Sequence, residues 1–544
     1  EGAFEGCSKL TNVTLSENLE SIGKYTFYNC SSLTNIAIPN SVTTIGHRTF
    51  EGCSSLKTIY CETESKPVDW NNNWEVCDAA IVWGHINHDE YNGFAYAIQK
   101  LQNETSVIIT GYIGCNTDIT IPSEIEGYQV KTICERAFYN CSSLTNITIP
   151  DSVTTIGGFA FEGCSKLSNV TLSENLKSIG YRTFYNCSSL KNITIPNSVT
   201  TIGDYVFYSC SSLTSVIIPD SVTAIGYSAF YGCNKLFNVT LSENLESIGY
   251  RTFYNCSSLT NITIPDSVTT IGEYAFYDCS SLTNITLSEN LKSIGEDAFR
   301  NCSSLTNITI PDSVTYIEES AFEGCSKLSN VTLSENLESI WHRAFYNCYS
   351  LTSIVIPDNV TVIGHSAFEG CRNLSNVILS KNLEGIGSRA FYDCELLTSI
   401  VIPNSVATIR ESAFSSCSKL TSVTLSENLK SIEKYTFSGC SSLTSITIPN
   451  SVTTIGESAF YGCNKLTSII LSKNLESIGG YAFENCSSLT NITIPNSVTT
   501  IGGYAFSGCS SLKTIYCETE SKPVGWDNGW NNYCNAAIVW GYKG

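Results

Sequence analysis

SSLTNITIPDSVTTIGGFAFEGC, Ser142–Cys164, is followed at once by SKLSNVTLSENLKSIGYRTFYNC, Ser165–Cys187, with apolar residues at the same offsets. From Cys141 to Cys509 a cysteine recurs every 23 residues without an insertion, seventeen in all. The two wordings mostly alternate, which adds a second period of 46 residues. That order breaks once, where NITIPNSV at Asn192 is followed by SVIIPDSV at Ser215. Two further copies occupy Ser8–Cys30 and Ser31–Cys53. A chain of 544 residues would otherwise suggest roughly three or four globular domains, but a fixed period overrides that prior.

Within one unit the recurrent apolar positions are those of Leu144, Ile147, Ile149, Val153, Ile156, Phe161 and Cys164. Leu-x-x-Ile-x-Ile alternates with period two, which predicts a short strand. Pro150 offers no N–H to a ladder and ends it. The remainder, bent at Gly157, predicts a turn or a short irregular helical segment. One unit cannot bury this stripe alone. Stacked units can, with each strand in a parallel sheet and each phenylalanine on the next, from Phe161 to Phe506.

The wording Leu-x-x-Ile-x-Ile-Pro-x-x-Val-x-x-Ile-Gly-x-x-Ala-Phe-x-x-Cys resembles the Bacteroides-surface-protein (BspA-like) type of leucine-rich repeat, known from bacterial surface proteins and some mucosal protists. The resemblance covers nearly the whole chain. It implies a leucine-rich-repeat solenoid with a parallel β-sheet on one face and turns or short helical segments on the other, with capped ends. It also implies an extracellular or cell-surface setting and adhesion to host or neighbouring-cell proteins or glycans.

Each end of such a stack exposes half a core and an open sheet edge, so a closing element is needed. SSLKTIYCETESKPV occurs twice, at Ser54–Val68 and Ser510–Val524, and each copy runs into a tryptophan-rich piece. Trp70, Trp74 and Trp83 match Trp526, Trp530 and Trp540. Both read as C-terminal caps. The expected organisation is therefore two arrays in series. Residues 1–84 end a first array, with its cap at 54–84, and 85–92 form a linker. Residues 93–140 are an N-terminal cap, with a hairpin around QKLQNET and a divergent repeat. Sixteen repeats fill 141–509, and 510–544 close the second array. The chain opens inside a repeat and lacks Met, so it reads as a piece of a longer polypeptide.

Cys61 with Cys77, and Cys517 with Cys534, bracket the aromatic cap loops and are disulfide candidates, the alternative being buried thiols. An unstrained bridge over such a loop would add roughly 3 kcal/mol. Cys115 and Cys134 are further candidates. The cysteine column itself reads as small inward side chains, because C-x-x-C clusters are absent and parallel side chains lack disulfide geometry.

No enzyme is expected and no cofactor is implied. No Ser or Cys is tied to a His by a known catalytic motif, and no glycine-rich phosphate loop follows a strand. His85, His88 and Asp89 could hold a metal, but a solvated linker is the expectation. A formal charge of −20 disfavours nucleic acid, and no apolar run is long enough to insert in a membrane. Acceptor sequons fall at Asn12, Asn103, Asn146, Asn169, Asn192, Asn238, Asn261, Asn284, Asn307, Asn330 and Asn491. On consecutive strands they stand about 5 Å apart, too close for a glycan on each, so an inter-rung Asn/Thr ladder is expected.

Variation concentrates just after the Ile-Gly bend. Tyr181, Arg182, Tyr205, Tyr250, Arg251, Trp341, His342 and Arg343 are the binding candidates there, since Tyr, Trp and Arg most often anchor interfaces. The expected function is non-catalytic recognition or adhesion at a cell surface. The alternative is a structural subunit that packs against copies of itself in a filament or surface layer.

Overall fold

The structure is a computed structural model that describes residues 1–102 and 104–543, so the Asn103 sequon lies outside the described residues. The chain forms two compact units, Glu1–Leu245 and Glu246–Gly544.

Both units are built from the same rung. In the first, Asn146–Thr148 pairs in parallel with Asn169–Thr171, each residue facing the one 23 positions later. The central apolar residue is buried and its neighbours face solvent, so the period-two pattern is the pleat. Pro150 stops the strand and accepts from the Val153 N–H at 3.0 Å, which turns the chain. A second strand of two residues, Thr155–Ile156, then pairs with its neighbour on the preceding rung.

Beyond the bend the structure departs from expectation, since no helix forms among the described residues. Tight turns are closed by Glu162 N–H to Phe159 O, Cys164 N–H to Phe161 O and Leu167 N–H to Cys164 O, at 3.0–3.1 Å. The alternate amides donate to the next rung instead, Phe159 to Tyr181 O and Phe161 to Thr183 O, both at 2.9 Å. Amides spent across rungs are not free for a helical ladder.

Phenylalanines form the axis of the core. Phe161, Phe184 and Phe207 stack in the first unit at 5.4 and 5.7 Å with planes within 6° of parallel. In the second unit Phe299, Phe322 and Phe345 stack at 5.3 Å. Beside them cysteines of the column donate S–H to a phenylalanine carbonyl 26 residues earlier, as Cys187 does to Phe161 O at 3.2 Å and Cys325 to Phe299 O at 3.2 Å. The thiol thus fills a small inward space and gives that carbonyl a second partner.

The 46-residue alternation has a physical basis. In the LSEN wording, serine replaces the strand-ending proline and is buried. Ser242 Oγ donates to Val222 O at 2.6 Å and accepts from Asn244 N–H at 3.1 Å. Asp220 of the preceding IPDS rung accepts from the Glu243 N–H, and Asn244 Nδ2 donates to Asp220 O, both at 2.9 Å. The two wordings interlock.

The duplicated segment closes the stack in the same way in each unit. Thr58–Cys61 and Ala80–Trp83 extend the parallel sheet beyond Asn35–Ile38, and Thr514–Cys517 and Ala537–Trp540 extend it beyond Asn491–Ile494. Trp74 meets Phe50 edge-on at 5.9 Å, and Trp530 meets Phe506 at 5.8 Å. Trp70 and Trp526 each donate Nε1–H to a carbonyl, Val42 O and Val498 O, at 3.1 Å. The rings are buried, so they end the phenylalanine column from within.

Segment 85–92 is not a linker. His85–Tyr91 is a strand antiparallel to Phe94–Leu101, joined by Asn92-Gly93 at φ 50° and 85°. Those dihedrals suit a two-residue hairpin turn, which Asn-Gly favours. The hairpin expected around QKLQNET is present as Phe94–Leu101 against Glu104–Tyr112. Glu104–Tyr112 in turn pairs in parallel with Tyr128–Ile133, which begins the second series of rungs.

Candidate interaction surface

The residues singled out around the bend occupy three adjacent positions of the turn, Trp341 standing where other rungs have the bend glycine, and they cluster by rung. In the first unit Arg182 lies among four aromatic rings, with its guanidinium carbon 4.7 Å from the Tyr185 centroid, 5.3 Å from Tyr181, 5.5 Å from Tyr205 and 5.8 Å from Phe159. Tyr181 and Tyr205 meet edge to face at 5.7 Å. In the second unit Arg251 lies 4.7 Å from Tyr250, 5.0 Å from Tyr274 and 5.6 Å from Tyr254. Arg343 lies over Tyr346 at 5.6 Å, His342 meets His365 edge-on at 6.1 Å, and Trp341 is 43% exposed. Trp341, His342 and Arg343 sit four rungs beyond Tyr250 and Arg251, so the candidates form separate clusters.

Sequence reasoning missed the rings that hold the arginines. Tyr185, Tyr254 and Tyr346 follow Arg182, Arg251 and Arg343 by three residues, and the turn hydrogen bond brings position i+3 back over i, as from Tyr185 N–H to Arg182 O at 3.1 Å. The recurring words YRTFYNC and HRAFYNC carried that signal.

The sheet's outer face carries the amide ladder. Asn169 Nδ2 donates to Asn146 Oδ1 at 2.7 Å, Asn284 to Asn261 at 3.1 Å and Asn330 to Asn307 at 2.7 Å. The Asn192 oxygen accepts from Thr214 at 3.0 Å, and Asn491 donates to Thr490 at 3.4 Å. At Asn169, Asn284 and Asn330 the nitrogen a glycan would need is thus engaged with the preceding rung. Asn12 is exposed, and Asn238 lies on the strand Asn238–Thr240.

The disulfide expectation is corrected. Every cysteine is a free thiol. Cys61 is in register with Ile38 and Trp83, and Cys517 with Ile494 and Trp540, so both belong to the strand column. Cys77 is instead an electrostatic neighbour of Cys53, and Cys534 of Cys509, so they prolong the thiol column. Cys134 is buried and Cys115 exposed. Burial pushes the Cys417 and Cys463 thiols up to about 12.

The three residues of the HINHDE segment do not converge. His85 Nε2 and His88 Nδ1 face each other at 3.2 Å, while Asp89 Oδ1 accepts from the Glu90 N–H. Among the described residues there is no group of three or more His, Cys, Asp or Glu able to hold a metal ion, and no helix long and apolar enough to cross a membrane.

A family model described as the BspA type leucine-rich repeat region matches residues 1–71 and then overlapping stretches from 113 to 526. A solved leucine-rich repeat protein of Bacteroides ovatus is 28% identical, over 83% of this chain and 99% of that one, with a TM-score of 0.50. A leucine-rich cell surface protein of Faecalibacterium prausnitzii is 26% identical over 84% and 99%, with a TM-score of 0.29. A leucine-rich repeat protein of T. pallidum is 30% identical over 40% and 91%, with a TM-score of 0.32. No curated protein matches the chain.

Proposed function

This chain belongs to the BspA-type leucine-rich repeat family, and from that premise we propose that it is a non-catalytic recognition protein. It acts outside the cell or on its surface, where it holds macromolecular partners through a repetitive face. The observation that carries this reading is the division of each rung. Core, ladder and interlocking positions repeat almost unchanged, while the turn after the bend changes from rung to rung and, on several rungs where it is exposed or half-buried, gathers Tyr, Trp and Arg. Many weak contacts on such a surface add up through effective concentration. Family membership supports a surface setting and an interaction role by analogy.

The test is a pair of measurements on the intact chain. Sedimentation at micromolar concentration should show a monomer, and that monomer should be retained by immobilised host matrix proteins or by neighbouring cells. Ordered filaments formed without any partner would replace recognition by a structural role in a filament or surface layer.

A further inference from the structure

The two caps repeat the same strands in different surroundings. On most rungs the outward positions of the strand are Asn or Ser and then Thr, as at Asn169 and Thr171, and they face solvent. In the first cap those positions hold Thr58 and Tyr60, then Ala80 and Val82, with Thr58 opposite Ala80 and Tyr60 opposite Val82. In the second they hold Thr514 and Tyr516, then Ala537 and Val539, paired in the same way. All four are buried in the first cap, Ala80 and Val82 to 1% exposure. In the second, Ala537 is exposed and Val539 is 40% exposed. The inward residues do not differ, since Ile81 and Trp83 are half-buried and so are Ile538 and Trp540.

What covers the first cap is the hairpin that opens the following rungs. Phe94–Leu101 lies against Ala80–Trp83, and the hydroxyls of Tyr60 and Thr110 share a hydrogen bond of 3.3 Å. Both faces of this hairpin are in use. Phe94, Tyr96 and Ile98 share the face that closes the second series of rungs, where Phe94 meets Phe138 edge-on at 6.5 Å. Register and pleat put Ala97 with Ile108, and Gln99 with Ser106, on the other face beside Thr110, and all five are buried. In the second cap Tyr542 stands where His85 stands, after the same Trp-Gly, and lies on the Tyr516 ring as His85 lies on Tyr60. It leaves Ala537 and Val539 open.

The same residues in the same register make the same surface, so the segment seated on the first cap identifies what fits the second. We propose that the outward face of the second cap is a docking site for the amino-terminal β-hairpin of another repeat array, carried on a separate chain. The hairpin at Phe94–Tyr112 is already engaged by the first cap of its own chain, so the occupant comes from elsewhere. Its face has the chemistry seen at the first cap: small and aliphatic side chains against Ala537 and Val539, and a hydroxyl for Tyr516. The contact is heterologous, hairpin of one array to cap of the next, and joins arrays end to end. It is independent of the recognition reading, which concerns the turns.

The test uses whole chains. The probe is this chain with Ala80→Asp and Val82→Asp, two carboxylates that cannot be buried unpaired against the hairpin and so expel it from the first cap. Immobilised, it should retain the wild-type chain, whose second cap is open. Affinity should fall at least tenfold for Val539→Asp. It should stay unchanged for Val524→Asp, which puts the same charge on an exposed residue of that cap outside these strands. A second probe, Tyr60→Asp, frees the hairpin from the other cap strand, so the answer does not rest on the folding of one variant. Wild-type chain that passes both probes unretained would overturn the proposal. Equal retention of wild type and Val539→Asp would overturn it too, because the contact would then lie elsewhere.

Discussion

Acid should loosen the strand that joins the first cap to the hairpin. His85 is 7% exposed, its Nδ1 has no hydrogen-bond partner among the described residues, and its Nε2 faces His88 Nδ1 at 3.2 Å. The Tyr60 ring covers both imidazoles at 4.8 and 4.5 Å and hydrogen-bonds to Thr110. The titratable groups facing His85 are therefore His88 on its own strand and Tyr60 on the cap strand, while Gln99 opposite and Thr110 are neutral. Burial, and secondarily His88, holds the His85 pKa down to about 4. An unfolded histidine titrates near about 6.5. Between those values the open form takes up a proton that the closed form refuses, so stability is complete above the unfolded value and is lost as pH falls toward the folded one. The gap sets an upper limit of about 3–4 kcal/mol, or roughly three-hundredfold in the opening constant. Amide exchange of His85–Tyr91, corrected for intrinsic rates, reads it directly. The second cap supplies the control, because there Tyr542 follows the same WG and packs on Tyr516 at 4.5 Å with the ring planes tilted by 37°. His85→Tyr should remove the pH dependence between neutrality and pH 4. An identical pH dependence in that variant, or none in the wild type, would refute the reasoning.

Phe322→Ala should cost about 3–5 kcal/mol, since the ring is fully buried between Phe299 and Phe345. Exchange should rise in the adjoining rungs and not near Phe483, because each rung touches only its neighbours. Equal loosening at both places would contradict the one-dimensional stacking. Ser334→Ala strands the Val314 carbonyl and the Asn336 N–H, which Ser334 Oγ engages at 2.6 and 3.1 Å. Denaturant unfolding of that variant should show a loss of about 1–3 kcal/mol, and an unchanged midpoint would mean that water replaces the hydroxyl. Iodoacetamide should alkylate Cys7 and Cys115 in the native protein and all 26 thiols after denaturation. Native labelling along the column, or a mass deficit from a Cys61–Cys77 bridge, would count against the packing described.

Much of the fold is legible without coordinates because it is a matter of period. Residues 23 apart share an environment, so the alternation of Ile147 and Ile149 around Thr148, the stop at Pro150 and the Phe161 column follow from spacing alone. The Asn146 ladder follows from the same register. The sequence was also legible where it was misread: Asn92-Gly93 between Tyr91 and Phe94 is a hairpin signal, and it makes a strand of the supposed linker. The caps were recognisable from their repeated wording, but the partners of Cys61 and Cys77 were not. Two thiols sixteen residues apart suggest a bridge until the register assigns one to a strand and the other to the turn column.

By itself, then, the sequence determined the repeat, its strand and the stacked core, because burying an apolar stripe that recurs every 23 residues admits one solution. Only the tertiary structure decided how the turn after the bend is built. The sign of φ at Arg182 or Tyr205 leaves no trace in hydrophobic spacing. The ring that holds each arginine is set by a turn that closes only when neighbouring rungs take up the alternate amides. The chain's chemistry was readable as a list of residue types, and its placement required the stack.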